Sequence, residues 1–401
     1  MSLLPVEEAQ ARLLALATPL PPTALSLAQA VGGYLAAPLA ARRDQPWTDL
    51  SAMDGYAVRW ADMPGPWRLV GEMAAGAVPS GDALAAGTAM RIFTGAPMPV
   101  GADTVILQED VTADGATIRL TGEGPGAPGR HVRPRASDFG ASDTLLSAGM
   151  RLGPAQIALA ALAGHAMLPV RPGPRVAILS TGDELVPPGA PCPPGKLPAS
   201  NGAMLRAMIE GVGGAVIDKR LIPDDLPAVT AAMREAARAD IIVTSGGASV
   251  GDHDLIRPAL EGAGGTIDFW RIAMRPGKPL IVGRLDQAIV LGLPGNPVSA
   301  LVTGALFLLP LIRHFAGAAA PLPRPRTGRL GAAMPAVGNR TDFVRATLKD
   351  GIATPIGFQD SAAMRAAAQA NALIIRPIGA PAAQAGEETQ VLDWPSLGLV
   401  G

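Results

Sequence analysis

The sequence predicts a multi-domain protein of mixed α/β and β structure. We expect a central three-layer α/β domain with a mostly parallel sheet, a helical N-terminal unit interrupted by a β insert, and a small C-terminal β-barrel-like domain. Three observations lead to this expectation. The chain of 401 residues is too long for one ordinary core, strand and helix patterns alternate over 171–317, and short alternating segments occur both before and after that region.

The N-terminal unit is predicted to contain three helices. Proline fits the first turn of a helix and glycine fits its end. On these signals we expect one helix from Val6 to the Pro19 break, a short one over Leu25–Leu35, and one from Pro154 to Gly164.

The β insert is predicted from alternating runs between Gly, Pro and Asp turns. Its expected strands are Gly55–Val58, Trp67–Val70, Ala89–Ile92, Thr104–Leu107 and Ala116–Leu120.

The α/β region is predicted from apolar β-branched runs that end in glycine-rich loops, which is typical of buried parallel strands. The expected strands are Val176–Leu179, Ala215–Ile217, Ile241–Val243, Pro279–Val282 and Ala288–Leu291, and the expected helices are Gly202–Gly211 with Asn201 as its cap, Leu226–Ala239, Pro258–Gly262 and an apolar helix from Val298. The proline-rich run 318–325 marks a linker to the last β domain. The predicted domains are therefore 1–46 with 139–170, 47–138, 171–317 and 318–401.

Composition excludes several classes of protein. A net charge of −1 gives no reason to expect a nucleic-acid or membrane partner. Cys192 is the single cysteine, and the four histidines show no HxxxH or HExxH spacing, so neither a disulfide framework nor a usual zinc site is expected. The N-terminus has no basic segment followed by an apolar run, and Leu301–Ile312 is shorter than a membrane span. We expect a cytoplasmic protein.

Two strand-end loops predict where the chemistry occurs. The first is Ser180–Glu184, and the second runs from Thr244 to Asp254 with three glycines and two serines in seven residues from Ser245. Ligands bind open α/β sheets at the carboxyl ends of the strands, and small residues expose backbone N–H groups to an anion. Because Asp252 and Asp254 follow the second loop directly, an anion there requires a cation beside it. These loops predict a metal-assisted, phosphate-type site, although the first is also compatible with a turn and a helix-capping acid.

Five further segments carry candidate residues, several with a plain structural alternative. Gly292–Ser299 is a rigid Pro-Gly turn that shapes a pocket or only stiffens a loop. Arg271–Pro279 holds three cations around a Pro-Gly turn, as an oxyanion clamp or a solvated loop. In the β insert, Asp54 lies at a turn that could be an Asx-turn, Thr94 precedes a tight bend, and Arg130–Asp138 concentrates arginines before an acid.

Eight segments together resemble those of one family. In order they are SAMDGYAV (51–58), FTGAPMP (93–99), GRHVRPRASD (129–138), STGDEL (180–185), SGGASVGDHD (245–254), RPGKP (275–279), GLPGNPVSA (292–300) and NRTDFVR (339–345). Their order and spacing are similar to those of the molybdopterin molybdenumtransferases of molybdenum-cofactor synthesis, the MoeA type.

The resemblance implies a fold, an activity and partners. Members are elongated homodimers of four domains, with a cleft between the α/β domain of one subunit and the β insert of the other. They take adenylylated molybdopterin and molybdate as substrates, use Mg²⁺, and release AMP as molybdenum is placed on the dithiolene. A molybdopterin adenylyltransferase and molybdoenzyme chaperones are candidate protein partners; nucleic acid and membrane are not.

The resemblance also assigns roles to residues of this chain. Glu184 and Asp254 are catalytic and metal-binding, and Asp224 is a third metal acid, with Asp225 as the alternative. From the β insert, Asp54 and Thr94 are catalytic. The implied substrate-binding residues are Ser245, Gly246, Gly247, Ser249, Arg133, Asp138, Arg271, Arg275, Lys278, Pro294 and Pro297.

One departure and three alternatives accompany the resemblance. Arg271 and Arg275 stand where relatives often carry lysine, so we expect oxyanion binding with altered geometry. The rival activities are adenylylation of molybdopterin by ATP, which the α/β region alone would fit, and a scaffold role without turnover. Preference for molybdate or tungstate stays open.

Overall fold

A computed structural model describes residues 3–79, 81–247, 255–269, 271–277 and 279–399. The chain divides into two compact units. The first contains 1–36, 148–152 and 169–401, and the second contains 37–147 and 153–168. The predicted fold class is confirmed, whereas the four domain boundaries stay a prediction because this division is coarser.

The helices of the described residues are α1 Val6–Ala15, α2 Leu27–Ala30, α3 Pro154–Leu162, α4 Ser200–Gly211, α5 Leu226–Ala236, α6 Ile256–Gly262, α7 Pro297–Thr303, α8 Leu309–Phe315, α9 Met364–Gln369 and α10 Trp394–Leu397, with a π turn at Gly304–Leu308 and 3₁₀ turns at Trp60–Asp62 and Gln108–Asp110.

The strands of the second unit and of the N-terminal region are β1 Thr23–Ser26, β2 Tyr34–Leu35, β3 Leu39–Ala40, β4 Leu50–Ser51, β5 Gly55–Val58, β6 Trp67–Met73, β7 Thr88–Ile92, β8 Thr104–Leu107, β9 Val111–Asp114, β10 Thr117–Leu120, β11 Val132–Arg133, β12 Thr144–Leu146 and β13 Met167–Arg171. The later strands are β14 Arg175–Thr181, β15 Leu185–Val186, β16 Leu197–Pro198, β17 Ala215–Ile222, β18 Ile241–Ser245, β19 Thr266–Phe269, β20 Met274–Arg275, β21 Ile281–Leu285, β22 Ala288–Leu293, β23 Arg326–Leu330, β24 Thr341–Lys349, β25 Ile352–Pro355, β26 Ala372–Arg376 and β27 Glu388–Asp393.

The β insert forms a six-stranded sheet in the order β8-β5-β7-β6-β10-β9. Successive side chains of a strand point to opposite faces, and here each face has its own small core. Ala57 and Val105 belong to one cluster and Val58 and Ile106 to the other. The predicted strands of this region are confirmed.

The N-terminal region holds one wrong prediction. α1 and α3 form as expected, with Pro154 in the first turn of α3. Of the helix expected over Leu25–Leu35, only the four residues of α2 are helical. Gly32 has a φ of +80°, and a Cβ on Gly33 would lie 2.6 Å from Val170 Cγ1, so the chain turns there into β2 and pairs with β13.

The α/β sheet has the order β17-β14-β18-β22-β21-β19. β17, β14, β18 and β22 are mutually parallel, and β21 and β19 join antiparallel. Val176 and Ile178 pack toward α4 and α7, whereas Ala177 and Leu179 pack toward α5 and α6. The predicted three-layer, mostly parallel sheet is confirmed.

The apolar helix that begins at Pro297 is longer than the sequence suggested. It continues through the π turn to Phe315, 19 residues in all, and by length and composition it could cross a membrane. Because 89% of that window is buried inside the protein, it is the central helix of the core. Its burial, and not its length, therefore argues against a membrane span.

The C-terminal region closes into a small barrel. Its strands follow the order β24-β25-β23-β27-β26, and β26 pairs again with β24 to complete the ring of five. β20 from the α/β region adds to this sheet beside β24. The predicted barrel-like domain is confirmed.

Candidate active site

A cavity of about 840 Å³ opens at the carboxyl ends of β14, β18 and β22. Ser180, Thr181 and Gly182 line it from the first strand and Ser245 from the second, followed by Pro294 and Pro297 after the third. Parallel neighbours end at the same edge of a sheet, so these three loops converge. The two strand-end loops singled out in the sequence therefore share one pocket.

The second loop requires its glycines. Gly246 has a φ of +92°, and a Cβ there would lie 2.2 Å from the carbonyl oxygen of Thr181. Gly247 has a φ of +63°, and its Cβ would lie 2.8 Å from Thr181 Oγ1. Both glycines line the cavity. Ser249, predicted to bind phosphate, lies outside the described residues.

Two predicted acids line the same cavity. Glu184 folds back over the first loop, because a Cβ on Gly182 would lie 2.7 Å from its Oε2. Asp224 is held by a reciprocal pair of contacts in which its N–H donates to Asp183 Oδ1 at 3.1 Å and its Oδ2 accepts from the Asp183 N–H at 3.4 Å. Asp254 lies outside the described residues.

The neighbouring acid, Asp225, has a structural task instead. It is the N-cap of α5, and its side chain accepts a hydrogen bond from the N–H of Ala228 at 2.9 Å. Capping of this kind satisfies a backbone donor that would otherwise be unpaired. The geometry thus favours Asp224 over Asp225 as the acid of the pocket.

These residues fit a hard divalent cation in part. Carboxylate oxygens are the protein ligands that Mg²⁺ prefers, and Glu184 and Asp224 supply them to one cavity. Within the described ranges no group of three or more His, Cys, Asp or Glu side chains could hold a metal ion. The described part of the pocket therefore offers two of the three predicted metal acids.

Asn201 has a role that the sequence did not reveal. It was expected to cap α4, but α4 starts at Ser200 and Ala199 is the N-cap. The carboxamide of Asn201 instead lines the cavity and donates to Ser245 Oγ at 2.8 Å and to the Gly295 carbonyl oxygen at 2.7 Å. Its Oδ1 is buried and finds no hydrogen-bond partner in the part of the chain that the structure describes.

The C-terminal region supplies one wall of the pocket. Ala362 and Met364 line the cavity. Ser361 Oγ accepts from Asn296 Nδ2 at 2.9 Å, and its carbonyl oxygen accepts from the Val298 N–H at 3.1 Å. This segment joins the start of α7, so the wall is attached to the loop after β22.

Arg345, which ends the last motif, fixes that wall. It is 2% exposed, and its guanidinium donates to the carbonyl oxygens of Asp360 at 2.9 Å and Phe358 at 3.3 Å and to Gln359 Oε1 at 3.3 Å. Burial lowers the pKa of the Arg345 guanidinium, and the charge of Asp360 opposes that effect. Nothing in the sequence pattern indicated that this arginine donates hydrogen bonds to backbone carbonyl oxygens of the same chain.

The cationic loop lies beside the barrel. Arg275 forms an ion pair with Asp342, whose carboxylate is buried, and the pairing follows from the parallel register of β20 and β24. The backbone carbonyl of Arg271 accepts from the Leu4 N–H at 3.0 Å. Neither arginine is among the residues that line the cavity. Lys278 lies outside the described residues, so the oxyanion role of this loop stays a prediction.

The predicted site residues of the β insert belong to the second unit. Asp54 Oδ1 accepts from the Thr94 N–H at 2.7 Å and from Thr94 Oγ1 at 2.8 Å. These two hydrogen bonds, with a smaller contribution from the charge of Arg91, lower the pKa of the exposed Asp54 carboxyl. Arg133 and Asp138 are also exposed. The four predicted residues of the β insert are therefore solvent-facing, as residues of a binding surface must be.

Three family profiles match the chain over most of its length. They are the MoeA N-terminal region (domain I and II) over 4–164, a probable molybdopterin binding domain over 177–314, and the MoeA C-terminal region (domain IV) over 327–394. The chain belongs to the MoeA family.

Relatives and solved structures extend the MoeA comparison to full length. The chain is 37% identical over 386 residues to molybdopterin molybdenumtransferase 2 of Mycobacterium tuberculosis, covering 93% of this chain and 95% of that protein. It is 36% identical to the molybdopterin molybdenumtransferase of Nostoc sp., covering 91% and 87%. A MoeA crystal structure from Pyrococcus horikosii superposes with a TM-score of 0.83 at 31% identity, covering 98% and 99%.

Proposed function

We propose that this protein inserts molybdenum into molybdopterin in molybdenum-cofactor biosynthesis. It would hydrolyse adenylylated molybdopterin and ligate molybdate to the dithiolene, releasing AMP. The observation that carries this proposal is the single pocket in which a glycine loop and two carboxylates, Glu184 and Asp224, meet at the ends of adjacent parallel strands. Membership of the MoeA family supports it.

The glycine loop would bind the phosphate end of the substrate. Gly246 and Gly247 line the cavity, and their lack of side chains lets the loop pack closely against Thr181. Backbone N–H groups and a serine hydroxyl are donors suited to phosphate oxygens. Pro294 and Pro297 would form a rigid floor, since the proline ring fixes φ.

The carboxylates would hold Mg²⁺. Glu184 and Asp224 are the described ligands of the set, with Asp254 as the third. A bound divalent cation would neutralise the negative charge that develops as a phosphoanhydride bond breaks. The residues themselves orient the phosphate-bearing end beside that charge and keep it in the strand-end pocket.

The oxyanion and the second subunit are further parts of the proposal. Molybdate is an anion, so cations must hold it near the thiolates despite their like charge; Arg271, Arg275 and Lys278 would do so. In a homodimer, the partner's β insert would bring Asp54, Thr94, Arg133 and Asp138 to the cleft. We place the protein in the cytoplasm, with an adenylyltransferase and molybdoenzyme chaperones as its partners.

A reconstitution assay tests this function. Purified protein is mixed with adenylylated molybdopterin, molybdate and Mg²⁺, and both AMP release and activation of an apo-molybdoenzyme are followed. Asp254→Asn should abolish AMP release while the circular dichroism spectrum stays unchanged. Consumption of ATP with molybdopterin would favour the adenylylation activity instead, and absence of any turnover would favour a scaffold role.

A further inference from the structure

The carboxamide of Asn201 is a part of the pocket that the proposed chemistry does not yet use. Asn201 is the second residue of α4 and lines the cavity. Its Nδ2 reaches both Ser245 Oγ, at 2.8 Å, and the Gly295 carbonyl oxygen, at 2.7 Å. One side chain therefore joins the start of α4 to the loops that follow β18 and β22.

The orientation of this carboxamide is determined by its partners. A backbone carbonyl oxygen can only accept, so the group of Asn201 that faces Gly295 must be the NH₂. That NH₂ has two protons, one for the Gly295 carbonyl oxygen and one for Ser245 Oγ. Ser245 is consequently the acceptor in its contact with Asn201.

This contact directs the hydroxyl of Ser245. A hydroxyl has one proton, and since Ser245 Oγ accepts from Asn201, its own proton remains to be donated elsewhere. Ser245 is 2% exposed and lines the cavity. In the part of the chain that the structure describes, its side chain has Asn201 as a donor and no acceptor for that proton.

We propose that Asn201 is a positioning residue that makes Ser245 a hydrogen-bond donor to an oxyanion in the pocket. A phosphate oxygen only accepts, so a serine whose proton already points into the cavity is prepared to bind it. The identity of that oxyanion, a phosphate of the molybdopterin substrate, rests on the proposed function. Asn201 itself acts through Ser245 and does not contact the substrate.

The unsatisfied Oδ1 supports a functional reason for this residue. Oδ1 of Asn201 is buried and has no hydrogen-bond partner among the described residues. A buried acceptor left unpaired costs free energy of folding. The carboxamide is therefore poorly optimised for stability alone, whereas its two donors are well placed for the loops of the pocket.

A double-mutant cycle tests the proposal through the Kd for molybdopterin. Ser245→Ala should weaken binding by about tenfold, because it removes one hydrogen bond to a charged group. Asn201→Ala should weaken binding by up to about the same factor, because it removes the contact that orients the Ser245 hydroxyl. The double variant should bind about as weakly as Ser245→Ala, since Asn201 has no effect without the hydroxyl. Asn201→Asp should bind more weakly than Asn201→Ala, because a carboxylate accepts the Ser245 proton and turns it away from the ligand.

Asn371 provides a matched control. Its carboxamide also makes two hydrogen bonds, to the carbonyl oxygen of Leu348 at 3.0 Å and from the Leu348 N–H at 2.6 Å, within the C-terminal barrel. Asn371→Ala should lower the thermal midpoint and leave the Kd unchanged. If the losses of affinity in Asn201→Ala and Ser245→Ala multiplied in the double variant, or if Asn201→Ala left the Kd unchanged, the positioning role of Asn201 would be wrong. The proposed function would not be affected by either result. If the wild-type protein did not bind molybdopterin, the proposed function would be wrong and the inference with it.

Discussion

The strand-end pocket and the β insert hold their acids in different ways. In the pocket, Asp224 is held by backbone and side chain of Asp183, 41 residues away on the loop of another strand. In the insert, both hydrogen bonds to Asp54 come from one residue, Thr94. Thr94 is 40 residues from Asp54, so each site depends on the assembly of its own sheet. The difference is that Asp224 faces a second carboxylate, whereas Asp54 accepts two hydrogen bonds from one neutral residue. This comparison predicts that charge matters most in the pocket, whereas the Asp54 site is set by the hydrogen bonds from Thr94.

The largest effect is expected from adding one methyl group to the glycine loop. Gly246→Ala should abolish AMP release and lower the free energy of unfolding by about 3 kcal/mol or more, because the new Cβ meets a backbone oxygen and φ is positive. Gly189 is the matched control, since its φ is +85° with nothing within 4 Å. Gly189→Ala should cost about 1 kcal/mol and leave turnover intact. Equal losses in the two variants, measured by denaturation, would contradict the close approach.

The next effect separates two adjacent acids. Asp224→Asn should lower kcat/KM by about a hundredfold or more, because it removes a carboxylate from the charged pocket. Asp225→Asn should change neither turnover nor stability, since Asn caps a helix about as well as Asp. Steady-state kinetics on both variants decides between them. If Asp225→Asn were the damaging change, our choice of Asp224 would be wrong.

A pH-dependent effect is expected from the β insert. The Thr94 hydrogen bonds favour the carboxylate form and lower the pKa of Asp54, so that carboxylate persists to lower pH and is lost as pH falls through the lowered pKa. Thr94→Val removes the hydroxyl and should shift the acidic limb of the kcat/KM profile to higher pH. Thr112→Val, which removes an exposed hydroxyl contact to Thr121 in the same insert, should leave that limb in place. An identical shift in both variants would argue against a local cause.

The smallest effect is expected in the cationic loop. Arg275→Lys keeps the charge but loses the planar guanidinium group, so the KM for molybdate should rise by less than about tenfold. Stability should hardly change, because lysine keeps a positive charge opposite Asp342 and the side chain at position 275 is largely exposed. Arg326 is a comparable arginine, paired with Asp393 at 2.8 Å on the barrel. An unchanged molybdate dependence in Arg275→Lys, matching Arg326→Lys, would remove this residue from the oxyanion site.

The sequence predicted the parts of the molecule that have local signals. Apolar runs such as Ile241–Val243 are flanked by glycine-rich turns, so both the strand and its loop could be recognised, and the start of that loop lines the pocket. The short strands of the β insert were equally clear from their alternation.

The sequence could not predict features that depend on distant partners. The segment Leu25–Leu35 has helical composition, but contact of Gly33 with Val170 and pairing of β2 with β13 override it. Asn201 looked like a helix cap because its neighbours suggest a helix start, and its contact with Gly295 spans 94 residues. Ser361 and Arg345 lie beyond the linker, and although Arg345 belongs to the last motif, the sequence assigned neither residue a role in the pocket.

The attachment of Ser361 to the start of α7 has a consequence for biosynthesis of the protein itself. The sheet and its three loops are encoded before residue 300, but the wall that encloses the cavity is encoded some sixty residues later and is held by Arg345. The same late region also completes the central core, since Phe343, Leu373 and Trp394 belong to the hydrophobic cluster that contains Val176 and Ile178. Premature stop codons in the barrel-coding part of the gene should therefore yield fragments that lack part of this core and cannot retain a pterin.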